Sequence, residues 1–113
     1  MEDPDAKTPK PYVHWVLYNV PPETTRLPES VPTLPRLKEP KDALQGRNSR
    51  GQVGYAGPRP PEGDPAHHYH FQLFALDTML DVPPGADRDA VLKALTGHAI
   101  ARGEVIGTFR RSR

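Results

Sequence analysis

The sequence predicts a mainly β domain with one helix packed against its sheets, and three observations carry that expectation. Residues 12–20 (YVHWVLYNV) and 67–77 (HHYHFQLFALD) are rich in β-branched and aromatic side chains and are bounded by turn formers. Residues 88–102 place apolar side chains at helical spacing behind an aspartate. A last run, Glu104–Phe109, returns to strand character, so the order is strand, long loop, strand, helix, strand.

The first strand is ended by Pro21 and Pro22, which cannot continue a ladder. Tyr12, Val16, Tyr18 and Val20 fall on one face, and Val13, Trp15 and Leu17 on the other, the pattern of a central strand covered on both sides. His14 shares the face of Val16 and Tyr18 and is expected to point inward. Residues 21–66 are proline-rich and aperiodic, and a connection this long is functional or disordered rather than a simple turn. In the second strand His67, Tyr69, Phe71, Leu73 and Ala75 share an inward face, while His68, His70, Gln72 and Phe74 share a wetter one. Asp87 is a good N-cap for a helix expected to run to about Arg102, with Val91, Leu92, Leu95 and Ala99 as its apolar stripe. Gly97 then lies inside the helix, for close packing, and Gly103 takes the left-handed position after it.

At 113 residues the chain makes a single domain, residues 1–113, with one small core. Its 15 prolines and 9 glycines, about a fifth of the residues, stay below the roughly 25–30% of low-complexity chains. The net charge of +1 offers no broad basic surface, although Arg36–Arg50 and the Arg110, Arg111, Arg113 end are locally basic. A dedicated nucleic-acid domain is more basic than this, so no nucleic-acid partner is expected. With no cysteine, disulfides, thiolate chemistry and thiolate-bound zinc are excluded. No run is long enough to span a membrane, and the acidic start, Met1–Asp5, lacks the features of a signal peptide. A cytoplasmic location is the expectation.

The common catalytic signatures are missing: no G-x-S-x-G, no H-E-x-x-H and no G-x-x-x-x-G-K-[ST]. Gly51, Gly54 and Gly57 could expose amides to an anion, but no lysine and no helix start follows, so a plain turn-rich loop is the better reading. His68 and His70 could chelate a metal on one strand face. A third ligand is lacking, Asp64 and Asp77 being near only in sequence, so an exposed pair is preferred and no metal or cofactor is expected. The remaining set is Asp3, Asp5, His14, His67 and Tyr69. A carboxylate beside an imidazole fixes its tautomer and favours its charge, and a tyrosine adds a hydroxyl donor. Together they make a compact site for a small oxyanion, weighed evenly against two structural histidines.

The segments EDPDA, HWVLYNVPPETTRLPE, LQGRNSRGQVGYAGPRPP, HHYHFQLFALD and LTGHAIARGEVIGTFRR occur in an order that resembles the phosphatidylethanolamine-binding proteins, in particular their bacterial branch similar to Raf kinase inhibitor protein. The resemblance covers the whole chain. It implies a central antiparallel sheet, a smaller second sheet, C-terminal helical structure, and a pocket for phosphate, phosphoethanolamine or acetate. By motif the ligand-binding positions are Asp3, Asp5, His14, Gly57, Arg59, Pro60, Pro61, His67 and Tyr69, with the stiff 54–66 loop as the rim and the start of the next strand as the wall. His68 and His70 are expected to face away. Relatives commonly have D-P-D-A-P and often a cysteine near the proline pair, where this chain has Lys7 and Arg59. They also carry a strand before the D-P-D element, so an N-terminally truncated domain with exposed edges is expected, and homo-oligomerisation would cover them.

The leading expectation is a non-enzymatic binding module for a small anion such as phosphate or phosphoethanolamine, regulatory in role, its histidines losing affinity as they lose charge at rising pH. The alternative is a kinase or protease inhibitor acting on a protein partner, distinguished by capture of a specific protein that phosphate displaces. An acid–base hydrolase is weaker, because no activated nucleophile or metal set is evident. A truncated relative without a function of its own is the plain alternative.

Overall fold

The computed structural model describes residues 1–112, and Arg113 of the basic C-terminus lies outside them. The strands are β1 (Glu2–Asp3), β2 (Tyr12–Val13), β3 (Leu17–Tyr18), β4 (Leu44–Gln45), β5 (His67–Leu76) and β6 (Ala99–Phe109), with one helix, α1 (Arg88–Leu95). Four strands form an antiparallel sheet in the order β2-β1-β5-β6, and β3 pairs with β4 in a second, small sheet. The expected mainly β fold with a packed helix is present.

The expected strand over residues 12–20 is two short strands in different sheets. Tyr12 and Val13 pair with β1, whereas Leu17 and Tyr18 pair with β4. Between them the His14 amide donates to the Met1 carbonyl, and the carbonyls of His14 and Val16 accept from Ala56 and Gly46. The segment crosses between sheets because its backbone groups find loop partners there. Its apolar side chains still form the core: Val13, Val16 and Tyr18 are buried with Leu44, Leu80 and Val91.

The long loop is ordered by its own polar side chains. The Asn48 carboxamide accepts from the Arg50 amide at 2.9 Å and donates to the Gly54 carbonyl at 3.0 Å, a side-chain-closed turn. The Ser49 hydroxyl accepts from the Val13 amide at 2.7 Å and ties the loop to β2.

The helix is shorter than expected. Asp87 caps it as read, accepting from the Ala90 amide, but Gly97 ends it instead of lying within it. Gly97 has φ 84°, a left-handed conformation that glycine adopts without a Cβ penalty. Residues Ala99–Arg102, expected to be helical, instead begin β6 and pair with Phe74–Leu76, and Gly103 lies opposite Leu73 rather than capping the helix. A ten-residue partner strand outweighs the local helix preference of Ala-Ile-Ala-Arg.

The same ribbon corrects the expected core. Only the first part of the inward face of β5 is covered: His67 and Tyr69 are buried, but Phe71 is exposed and Leu73 is 74% exposed. On β6, Ile100 and Val105 are each 70% exposed. β1 pairs with β5 only at His70, and in the far half of β5 Leu76 is partly buried against the core while Phe71 and Leu73 stay uncovered.

Candidate functional site

Register assembles the site. Glu2 stands opposite His70, so the neighbouring Asp3 falls on the face shared by His67 and Tyr69. β1 also pairs Asp3 with Tyr12, two residues before His14. Three segments distant in sequence therefore bring Asp3, His14, His67 and Tyr69 together, all buried. The His14 ring meets Tyr69 edge-on at 5.3 Å, and His67 and Tyr69 lie nearly parallel at 6.4 Å.

The two histidines are in different states. His67 Nδ1 donates to Asp3 Oδ2 at 2.6 Å and Nε2 donates to Asp64 Oδ2 at 3.1 Å. Both nitrogens face carboxylates, so the ring is held as imidazolium. The Asp3 hydrogen bond pushes its pKa above the usual 6.5, Asp64 adds to this, and burial opposes both. The other Asp3 oxygen accepts from the Asp5 amide at 2.8 Å, which fixes the carboxylate. His14 Nδ1 lies 2.6 Å from the Ala56 carbonyl, so Nδ1 carries the proton. Burial lowers its pKa, with that hydrogen bond opposing. Neutral His14 leaves Nε2 as an acceptor, so of the two imidazoles expected to supply charge, one does so.

Stability linkage has opposite signs at the two rings. His67, raised above 6.5, contributes stability fully present below about pH 6.5 and lost as pH rises through its higher folded value. His14, lowered, contributes stability present above about pH 6.5 and lost as pH falls through its lower folded value. Imidazole NMR titration should therefore place the His67 midpoint above that of His14. The reverse order would contradict these assignments.

Tyr69 is the least expected member. It is 2% exposed, and its hydroxyl has no hydrogen-bond partner among the described residues. Burial raises its pKa, with Asp3 adding to the effect, so the group stays a neutral donor. A buried hydroxyl without a protein partner costs about 1–3 kcal/mol.

Other expected residues sit at the margin. Asp5, expected to orient the pocket imidazoles, turns outward: its carboxylate accepts from the His68 amide and ring at 2.8 Å each, and those bonds lower its pKa. Pro60 is buried, while Gly57, Arg59 and Pro61 are exposed along the loop. The loop is joined to the site at Ala56, which donates its amide to His14 and accepts from its ring. His68 and His70 are paired separately, with Asp5 and Glu104. Among the described residues no group of three or more His, Cys, Asp or Glu side chains is arranged to hold a metal, and no helix is long and apolar enough to cross a membrane. Sequence reading missed Asp64 as a partner of His67, having weighed it only as a metal ligand. Its one signal is Gly63 before it and a three-residue spacing to the histidine.

Residues 1–110 match the profile of the phosphatidylethanolamine-binding proteins. A UPF0098 protein of Methanothermobacter thermautotrophicus is 47% identical over 110 residues, 97% of this chain and 70% of that protein. A UPF0098 protein of Pyrococcus horikoshii is 44% identical over 111 residues, 98% of this chain but 55% of its own length. The chain thus spans little more than half of that relative. Among solved structures, a phosphatidylethanolamine-binding protein homologue of Chlamydia trachomatis superposes with a TM-score of 0.83 at 34% identity, over 97% of this chain and 68% of that one. Escherichia coli YbcL, described as a member of the mammalian family, gives 0.80 at 33% identity with the same coverage.

Proposed function

The chain belongs to the phosphatidylethanolamine-binding protein family, and from that premise we propose that it is a binding module for a small oxyanion, a phosphate monoester or inorganic phosphate, at the His14–His67–Tyr69 site. The observation that carries this reading is the buried Tyr69 hydroxyl without a protein partner, set between a charged and a neutral imidazole. A ligand oxygen accepts from Tyr69, and a protonated phosphate oxygen donates to His14 Nε2. His67 supplies the positive charge. The acidic surroundings, Asp3 and Asp64 at His67 with Asp5 outside them, favour a ligand that carries its own proton or an ammonium group.

Binding rather than turnover fits the same geometry. Both nitrogens of His67 carry protons, so that ring has no lone pair for taking a proton from a substrate.

Tyr69→Phe is the test. A hydrogen bond to a charged group is worth about 1.5–3 kcal/mol, so phosphate affinity should fall about tenfold to a hundredfold in calorimetry. Folding stability should be unchanged or rise by up to about 1–3 kcal/mol, because the substitution removes a buried hydroxyl that has no protein partner. Unchanged affinity would rule the site out. Running inorganic phosphate, phosphoethanolamine and phosphatidylethanolamine vesicles in parallel separates a free phosphate ligand from a lipid headgroup.

A further inference from the structure

Asp64 is placed by its turn. Its amide donates to the Pro61 carbonyl at 3.3 Å, and Gly63 takes φ 84°, the left-handed third position such a turn requires. Pro65 follows and restricts the backbone of Asp64. The carboxylate so presented lies 3.1 Å from His67 Nε2, the ring nitrogen not held by Asp3, and its side chain is only 18% exposed. Its other oxygen is 3.9 Å from the exposed Lys7 ammonium, which offers it a partner away from the ring. The position is thus already filled by an oxyanion, and that oxyanion belongs to the chain.

We propose that Asp64 is an internal competitor for the phosphate ligand: its carboxylate occupies His67 Nε2, and a phosphate group binds there only by displacing it. This rests on the reading of the His14–His67–Tyr69 site given above. Asp3 is the fixed partner of His67, since its two oxygens are divided between the ring and the Asp5 amide. Asp64 is the exchangeable one, because its hydrogen bond is the longer of the two and it stands on a solvent-facing turn. Displacement moves the carboxylate toward Lys7 and leaves the imidazolium to the ligand. The competition makes the site selective: a dianion is repelled by the displaced carboxylate, whereas a monoester bearing an ammonium group can pair with it.

Calorimetric titration of the full chain with inorganic phosphate and with phosphoethanolamine tests this, using Asp64→Asn and, as a charge control, Glu62→Gln. Glu62 is a rim carboxylate 3.6 Å from Arg111 and is not paired with His67. Asp64→Asn should tighten inorganic phosphate about tenfold or more and phosphoethanolamine less, with Glu62→Gln within about twofold of the parent. In the parent, the His67 Nε2–H resonance should shift as phosphate replaces Asp64. Affinity unchanged or weakened by Asp64→Asn while the parent binds would overturn the competitor role and leave the site standing. An equal gain in Glu62→Gln would also overturn it, as a general charge effect. If neither the parent nor Asp64→Asn binds either probe, the binding site and the competitor fall together.

Discussion

Asp3→Ala is expected to destabilise the protein by about 3–5 kcal/mol, the usual cost of removing one partner from a buried ion pair. Asp3 is 3% exposed and His67 5%, so water does not readily replace the lost oxygen. The substitution orphans His67 Nδ1 and the Asp5 amide together. Because the Asp3 bond is the main cause of the raised His67 pKa, the His67 midpoint should fall in the variant. The stability deficit should be largest where the parent ring is charged and should shrink as pH rises through the parent's folded pKa. Urea denaturation between about pH 5 and 8, with imidazole NMR on both proteins, checks both statements. A deficit that does not change with pH would mean that Asp3 acts by packing and not through the imidazolium.

Gln45→Ala is expected to cost about 3 kcal/mol or more, a large loss for a neutral side chain. Gln45 is fully buried, and its carboxamide makes three hydrogen bonds. Its oxygen accepts from the Trp15 indole at 2.7 Å, and its nitrogen donates to the carbonyls of Pro32 and Leu34 at 2.7 and 2.8 Å. Those carbonyls lie in the proline-rich loop, so one side chain fixes β4, the Trp15 region and the 32–34 segment together. Hydrogen exchange of the variant should increase across residues 30–37 as well as in the Trp15 region. Protection there equal to the parent's would show that prolines alone order the loop.

What the sequence made legible follows from the range of the interactions involved. The alternation His67, Tyr69 against His68, His70 is a property of one strand, and the buried and exposed sets separate as read up to Tyr69. Beyond it, Phe71 and Leu73 were assigned to the core on periodicity, but periodicity does not supply the layer that must cover them. The Asp87 cap is local and was readable, whereas the helix end was not. Gly97 reads equally as an interior residue or a terminator until the pairing of Ala99–Arg102 with β5 decides between them. Within the site, Asp3 was legible from its motif. Asp5 belongs to the same D-P-D motif, yet side chains two residues apart need not serve one pocket once His68 offers a nearer partner. The charge difference between His14 and His67 depends on which oxygen faces each ring, a carbonyl or two carboxylates, and no spacing rule encodes that.

The central claim, that His14, His67 and Tyr69 form one receptor for a small phosphate group, is tested most directly by the amide and imidazole NMR spectra of the chain during titration with inorganic phosphate. Saturable shifts confined to His14, Ala56, Asp64, His67 and Tyr69 are the predicted result. Shifts scattered over the Arg36–Arg50 loop and the C-terminal arginines, or no saturable shift at these residues, would contradict it.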